Sequence, residues 1–168
     1  MDVGGYIGDW AAAIQQRYDC EVAIFEPLPH GIKRLEERFR NRSKIRIYPI
    51  GLAGESGFAN LTDSMDGSSV YGEALGIRIQ LVSIFEWLQK SNVSNIDLIK
   101  INIEGGEYSL LEKLIEVRAL NLFRFFQIQF HPTFEGYEKR INTIHEHLSQ
   151  THRLQWEYPL VWESWERI

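Results

Sequence analysis

The chain has 168 residues, 44% of them apolar and 24% charged, a make-up that fits one globular domain with a real core and excludes a disordered chain. Its net charge is −5 and it carries no dense basic run, which argues against a nucleic-acid partner. The single cysteine, Cys20, excludes an internal disulfide and reads as a small buried apolar residue. No apolar run is long enough to span a bilayer and no charged leader precedes the domain, so a cytoplasmic setting is expected.

The opening MDVGGYIGDW predicts a stub of strand, a glycine turn and then a helix beginning around Trp10–Ile14. Glu21–Glu26 (EVAIFE) is a short apolar strand closed by Pro27. Pro29–Arg40 places Ile32, Leu35 and Phe39 on one helical face. Lys44–Ile50 (KIRIYPI) alternates as a strand. Gly51–Tyr71 is rich in Gly, Ser and Asp and holds one short strand near Phe58–Leu61; within it, Gly67–Tyr71 is expected as a solvent loop. Arg78–Leu81 is a brief strand, and Ser83 is the expected N-cap of a helix through Gln89. Ile96–Ile103 (IDLIKINI) is a strong strand and Tyr108–Leu114 a helix. Phe123–Phe130 (FRFFQIQF) is a strand, and Glu135–Gln150 is a helix with Ile141, Ile144 and Leu148 inward. Two strands, Arg153–Tyr158 and Leu160–Trp165, close the chain. Core packing is expected for Trp156, Trp162 and Trp165 rather than a sugar platform.

Strands alternating with helices imply a mostly parallel sheet with helices on both faces. The last two strands lack a helix between them and should pair antiparallel. In such sheets ligands bind at the carboxyl ends of strands, near the point where strand order reverses. Gly4, Gly5 and Gly8 sit at the first such end, where they allow a sharp turn and a close ligand approach. Glu26 ends the next strand, placed to accept hydrogen bonds from ribose hydroxyls. The spacing Asp2-x-Gly4-x-x-x-Gly8 departs from the dinucleotide fingerprint G-x-G-x-x-G. A carboxylate at Asp2 is awkward beside a pyrophosphate and useful beside an ammonium group. These charges favour S-adenosylmethionine over NAD as the cofactor.

The sequence resembles the FkbM-type family of S-adenosylmethionine-dependent methyltransferases. Asp2-Val3-Gly4-Gly5-Tyr6-Ile7-Gly8 follows the family's D-V-G-A-N-x-G, Phe25-Glu26-Pro27 its F-E-P, and Asp97–Glu107 (DLIKINIEGGE) its D-L-I-K-I-D-V-E-G-A-E. Gln129-Phe130-His131 is similar to its E-F-H. Asn102 stands where the family usually has Asp, Gln129 where it often has Glu, and Tyr6 where it has a small polar residue. The resemblance implies a class I methyltransferase fold over 1–168, a Rossmann-like single domain whose first strand is shorter than the family's. It implies methyl transfer to a hydroxyl of a sugar or secondary metabolite. It also places the cofactor against Asp2, Gly4, Gly5, Gly8, Glu26 and Pro27. The alternatives are a non-catalytic relative that keeps S-adenosylmethionine binding, and an NAD-binding oxidoreductase, which the loop spacing fits poorly.

On the strand carrying the third motif, Lys100, Asn102 and Glu104 share one face. A lysine in an apolar strand needs a partner, and Asp2 and Glu104 are the candidates. Asn102 can orient a hydroxyl but cannot act as a base; Glu104 lies at the strand tip. Glu107 reads equally as an acid favoured at a helix N-terminus. An alcohol acceptor must lose its proton, and His131 is the candidate base because imidazole titrates near neutrality. The catalytic candidates are therefore His131, Asn102, Glu104 and Lys100. His30, His145, His147 and His152 are expected at the surface, and no metal site is expected.

Overall fold

The computed structural model describes residues 1–61 and 76–168; Gly67–Tyr71 lies outside them. The chain runs β1 (Asp2–Val3), α1 (Asp9–Tyr18), β2 (Val22–Phe25), α2 (Pro29–Phe39), β3 (Ile45–Tyr48), β4 (Gly51–Ala53) and β5 (Gly57–Leu61). It continues through β6 (Ile77–Ser83), α3 (Ile84–Ser91), β7 (Ile96–Ile101), α4 (Glu107–Glu116), β8 (Phe123–Ile128), α5 (Tyr137–Leu148), β9 (His152–Tyr158) and β10 (Trp162–Arg167). Seven strands form the main sheet in the order β3-β2-β1-β7-β8-β10-β9. All neighbours are parallel except β10, which is antiparallel to both β8 and β9. This is the expected mixed sheet, and strand order reverses at β1, between β2 and β7.

Period-two alternation decides which face each residue covers. On one face Val22 and Ile24 meet Ala11 of α1 and Leu35 and Phe39 of α2. On the other, Val3, Phe25, Ile99, Ile101 and Ile128 pack with Trp87, Leu110, Leu111 and Ile144 of α3, α4 and α5. Pro29 opens α2 at its first turn, where a missing N–H leaves no bond unmade.

Several local expectations change. The KIRIYPI strand stops at Tyr48, because Pro49 has no N–H for the ladder. The chain resumes as β4 in a separate three-stranded sheet, β4-β6-β5. Ser83 does precede α3, but its hydroxyl donates to Gly54 O at 2.8 Å and makes no capping bond. His152 is not a surface residue. It is 2% exposed, with Nε2 3.0 Å from Phe123 O and Nδ1 2.8 Å from Thr151 Oγ1, because the start of β9 lies level with the start of β8 across the last residues of β10.

His145 is half-buried and bonds Glu163. Of the three C-terminal tryptophans Trp165 is core, at 4% exposed. Trp156 is 41% exposed on the edge strand, contrary to the core reading.

Candidate functional site

Register places a polar row across the centre of the sheet. Asp2 pairs with Lys100, Lys100 with Gln127, and Gln127 with Ser164, and cross-strand partners share a face. Trp10 of α1 covers this row and donates Nε1–H to Gln127 Oε1 at 3.1 Å. Lys100 Nζ lies 3.0 Å from Asp2 Oδ1 and donates to Gly4 O at 2.6 Å. Of the two candidate partners for the lysine, Asp2 is the one it meets. Burial pushes the Asp2 carboxyl up, and the Lys100 charge opposes that push.

The enclosure of Asp2 alters its expected place. The carboxylate is 0% exposed and its cation is the chain's own Lys100, so it does not stand open to a ligand's ammonium group. Among the described residues, no hydrogen-bond donor reaches Asp2 Oδ2.

The glycines of the first loop are explained by the protein's own packing. Gly4 has φ +83°, and a Cβ there would lie 1.9 Å from Asn102 O. At Gly5 a Cβ would lie 2.1 Å from Ile24 Cγ2, and at Gly8 it would meet Phe39 and Leu35. The loop is thereby pressed onto the strand tips. Tyr6 takes φ +47°, a conformation that side chains rarely adopt, and its ring is half exposed, edge-on to His30.

Glu26, at the tip of β2, clasps that loop. Its Oε2 accepts from Tyr6 N and its Oε1 from Leu28 N, both at 2.8 Å. The side chain is buried, which raises its pKa; the two backbone bonds hold it back. Gly31 leaves room for it, since a Cβ there would lie 2.9 Å from Glu26 Cγ. Each carboxylate oxygen has two lone pairs, so each keeps one for a further donor. A vicinal diol, such as a ribose presents, matches that pair of acceptors. Pro27 follows without an N–H of its own, which leaves Leu28 to close the turn.

Across the reversal point, the turn from β7 into α4 is strained. Glu104 has φ +51° and Gly105 φ +105°, where a Cβ would lie 2.7 Å from Thr133 Oγ1 in the loop after β8. These two loops bring Glu104, Glu107 and His131 together. His131 Nε2 is 3.4 Å from Glu104 Oε1, and Nδ1 is 3.2 Å from Glu107 Oε1. Glu107 Oε1 also accepts from His131 N at 2.7 Å, and Oε2 from Gly105 N at 2.9 Å. Burial works to lower the His131 pKa; the bond to Glu107 and the charges of Glu107 and Glu104 outweigh it, and the net direction is up. Tyr108 Oη donates to His131 O at 2.8 Å, and Arg140 lies over the Tyr108 ring while pairing with Glu112.

The candidates therefore fall in two groups. Asp2, Gly4, Lys100 and Asn102 converge under the first loop, with Glu26 clasping it from β2; Glu104 and His131 meet across the β7 and β8 tips. Glu107 is the residue that sequence reasoning undervalued. It is 0% exposed, and the available signal was an acid directly after two glycines, together with a histidine just beyond the next strand. Among the described residues, no group of three or more His, Cys, Asp or Glu is arranged to hold a metal ion. A hollow lined by Met1, Trp10, Cys20, Trp87 and Ile96 lies at the opposite ends of the strands and is not part of this cluster.

The methyltransferase FkbM domain model matches residues 2–157. The chain belongs to the FkbM methyltransferase family. No curated protein sequence matches it. The FkbM domain is similar in structure to an FkbM methyltransferase from Methylobacillus flagellatus KT. The TM-score is 0.55 at 16% identity, over 98% of this chain and 41% of that one, so the chain spans well under half of that relative's length. It is also similar to a chain of a fibrillarin/Nop5p complex, with TM-score 0.59 at 11% identity, over 99% of this chain and 71% of that one. These likenesses show the class I methyltransferase fold. Among the described residues, no helix is long and apolar enough to cross a membrane.

Proposed function

We propose that this FkbM domain is an S-adenosylmethionine-dependent O-methyltransferase that acts on a hydroxyl of a sugar or secondary metabolite. The observation that carries the reading is the pairing of two groups around the reversal point: an acid clasping a glycine loop, and an imidazole held between a carboxylate of the β7–α4 turn and one at the start of α4.

The Gly4–Gly8 loop and Glu26 are the residues that would hold the cofactor, with Glu26 offering its remaining lone pairs to the ribose. Lys100 neutralises Asp2 beneath the loop. When bound, S-adenosylmethionine supplies a methyl group on a positively charged sulfur. His131 receives the acceptor's hydroxyl proton on Nε2, and Glu104 stands beside that nitrogen to stabilise the imidazolium. Asn102, at the tip of β7, orients the acceptor. The net charge of −5 favours an uncharged acceptor over a polyanion such as RNA.

Calorimetric titration with S-adenosylmethionine, S-adenosylhomocysteine and NAD tests the cofactor. Binding of the first two and not of NAD is expected; binding of NAD alone overturns the proposal. Transfer of labelled methyl to a panel of glycans and polyols then tests the reaction. Cofactor binding with no transfer to any of them would favour the non-catalytic relative.

A further inference from the structure

Glu107 takes no step of its own in the proposed reaction, yet its carboxylate is wholly buried and bound on both oxygens. Oε2 takes the Gly105 N–H, which anchors the acid to the strained turn. Oε1 takes the His131 backbone N–H and faces Nδ1 of the same residue. We propose that Glu107 is the positioning residue of the site: it keeps a proton on Nδ1 of His131, so that in the neutral ring Nε2 carries the lone pair and is the proton acceptor, with Glu104 close enough to stabilise the imidazolium once it forms.

The reasoning is one of donors and acceptors. An ionised carboxylate only accepts, so a ring nitrogen hydrogen-bonded to it must carry a hydrogen; Nδ1 makes such a bond to Glu107 at 3.2 Å, whereas Glu104 lies 3.4 Å from Nε2 as a charge neighbour without a hydrogen bond. Free imidazole in water tends to carry its proton on Nε2, so the opposite tautomer needs an external hold. Glu107 has the geometry for it, because its backbone bond to His131 N fixes the distance before the ring is placed. Glu104 faces Nε2 at 3.4 Å and is partly exposed, so an acceptor's hydroxyl has a way to that nitrogen.

The charged and titratable groups around the ring come from three elements. Glu104 belongs to the β7–α4 turn, and Glu107 and Tyr108 to α4. Arg140 of α5 lies behind the Tyr108 ring. Of these, Glu107 is the one on Nδ1.

This role rests on His131 being the base, but its test needs neither cofactor nor acceptor. Nitrogen NMR of histidine-labelled protein across a pH series reads the tautomer and titration midpoint of His131 directly. In the wild type the neutral ring is expected with its proton on Nδ1. Glu107→Gln is expected to lower the midpoint by on the order of one pH unit and to release the tautomer. Glu104→Gln is expected to lower the midpoint while the tautomer stays. A wild-type ring protonated on Nε2 overturns the proposal without any variant. So does a folded Glu107→Gln protein whose midpoint and tautomer are unchanged. Failure of the cofactor titration leaves this result standing, so the two readings fail separately.

Discussion

Lys100 Nζ sits 3.0 Å from Asp2 Oδ1 across the β1–β7 ladder, and neither side chain is more than 7% exposed. Two strands that form the switch point are thus joined by an enclosed ion pair, and the same ammonium donates to Gly4 O of the glycine loop. Removing one member leaves the other charge buried without compensation, which costs about 3–5 kcal/mol. Lys100→Met is therefore expected to lower stability by that order at neutral pH. The loss should shrink in acid, where Asp2 takes up a proton. Adding Asp2→Asn to the variant is expected to restore a large part. Urea denaturation of the three proteins checks this, and equal midpoints for Lys100→Met and the parent would refute it.

Glu26 bonds the backbone of Tyr6 and Leu28 and is the acid proposed to meet the ribose. Hydrogen bonds to a charged group contribute about 1.5–3 kcal/mol. Glu26→Gln is expected to weaken S-adenosylmethionine binding by roughly 10- to 150-fold. Its amide presents N–H to one of two backbone donors, so the loop should also become more mobile. Calorimetry gives the affinity, and amide hydrogen exchange at Tyr6 gives the loop.

Gly4 and Gly57 make a contrasting pair. At Gly4 a methyl group meets Asn102 O at 1.9 Å and the backbone is left-handed; at Gly57 nothing lies within 4 Å. Gly4→Ala is expected to destabilise by ~3 kcal/mol or more, since overpacking and strain add. Gly57→Ala is expected to be neutral or to stabilise by up to about 1 kcal/mol, through lower chain entropy in the unfolded state. Thermal melts of both variants decide the matter; comparable melts would contradict the packing account.

His145 Nε2 meets Glu163 Oε2 at 2.8 Å, and Glu163 Oε1 takes the Trp165 N–H at 2.8 Å. Burial lowers the His145 pKa, but the Glu163 bond and charge prevail and raise it overall. A histidine raised above its unfolded value contributes stability that is full below about pH 6.5 and lost as pH rises through the folded value. His152 has the opposite sign. Burial lowers it, against the Phe123 carbonyl, so its contribution is full above about pH 6.5 and lost as pH falls through the folded value. His145→Gln should remove its share of the first slope, leaving the share of His131, whose pKa is also raised, and leave the second slope intact. Denaturation midpoints across that pH range test this, and an unaltered slope would count against it.

Local chemistry was enough for the alternating strands and helices, the antiparallel finish and the face that Lys100 shares, because hydrophobic period and proline placement act within a few residues. The pairing of Lys100 with Asp2 was legible as a choice of two. Which acid it met depended on the β1–β7 register, a contact between residues far apart in the chain. The glycine loop was legible as a turn. That its Cβ positions are filled by Asn102 O, Ile24 and Phe39, rather than left for a ligand, was decided by how strands and α2 pack. His152 and Trp156 exchanged the places expected for them because burial on the last hairpin is set by which neighbour lies beside each strand. Glu107 was hidden for the same reason. Its sequence neighbours explain an acid at a helix start, and only the loop after β8, brought alongside by the sheet, supplies the histidine it holds. Sequence by itself determined most of the elements, β4 excepted, together with the motifs and the family; tertiary structure decided which charges meet, since ion pairs and clashes depend on distances that no local pattern contains.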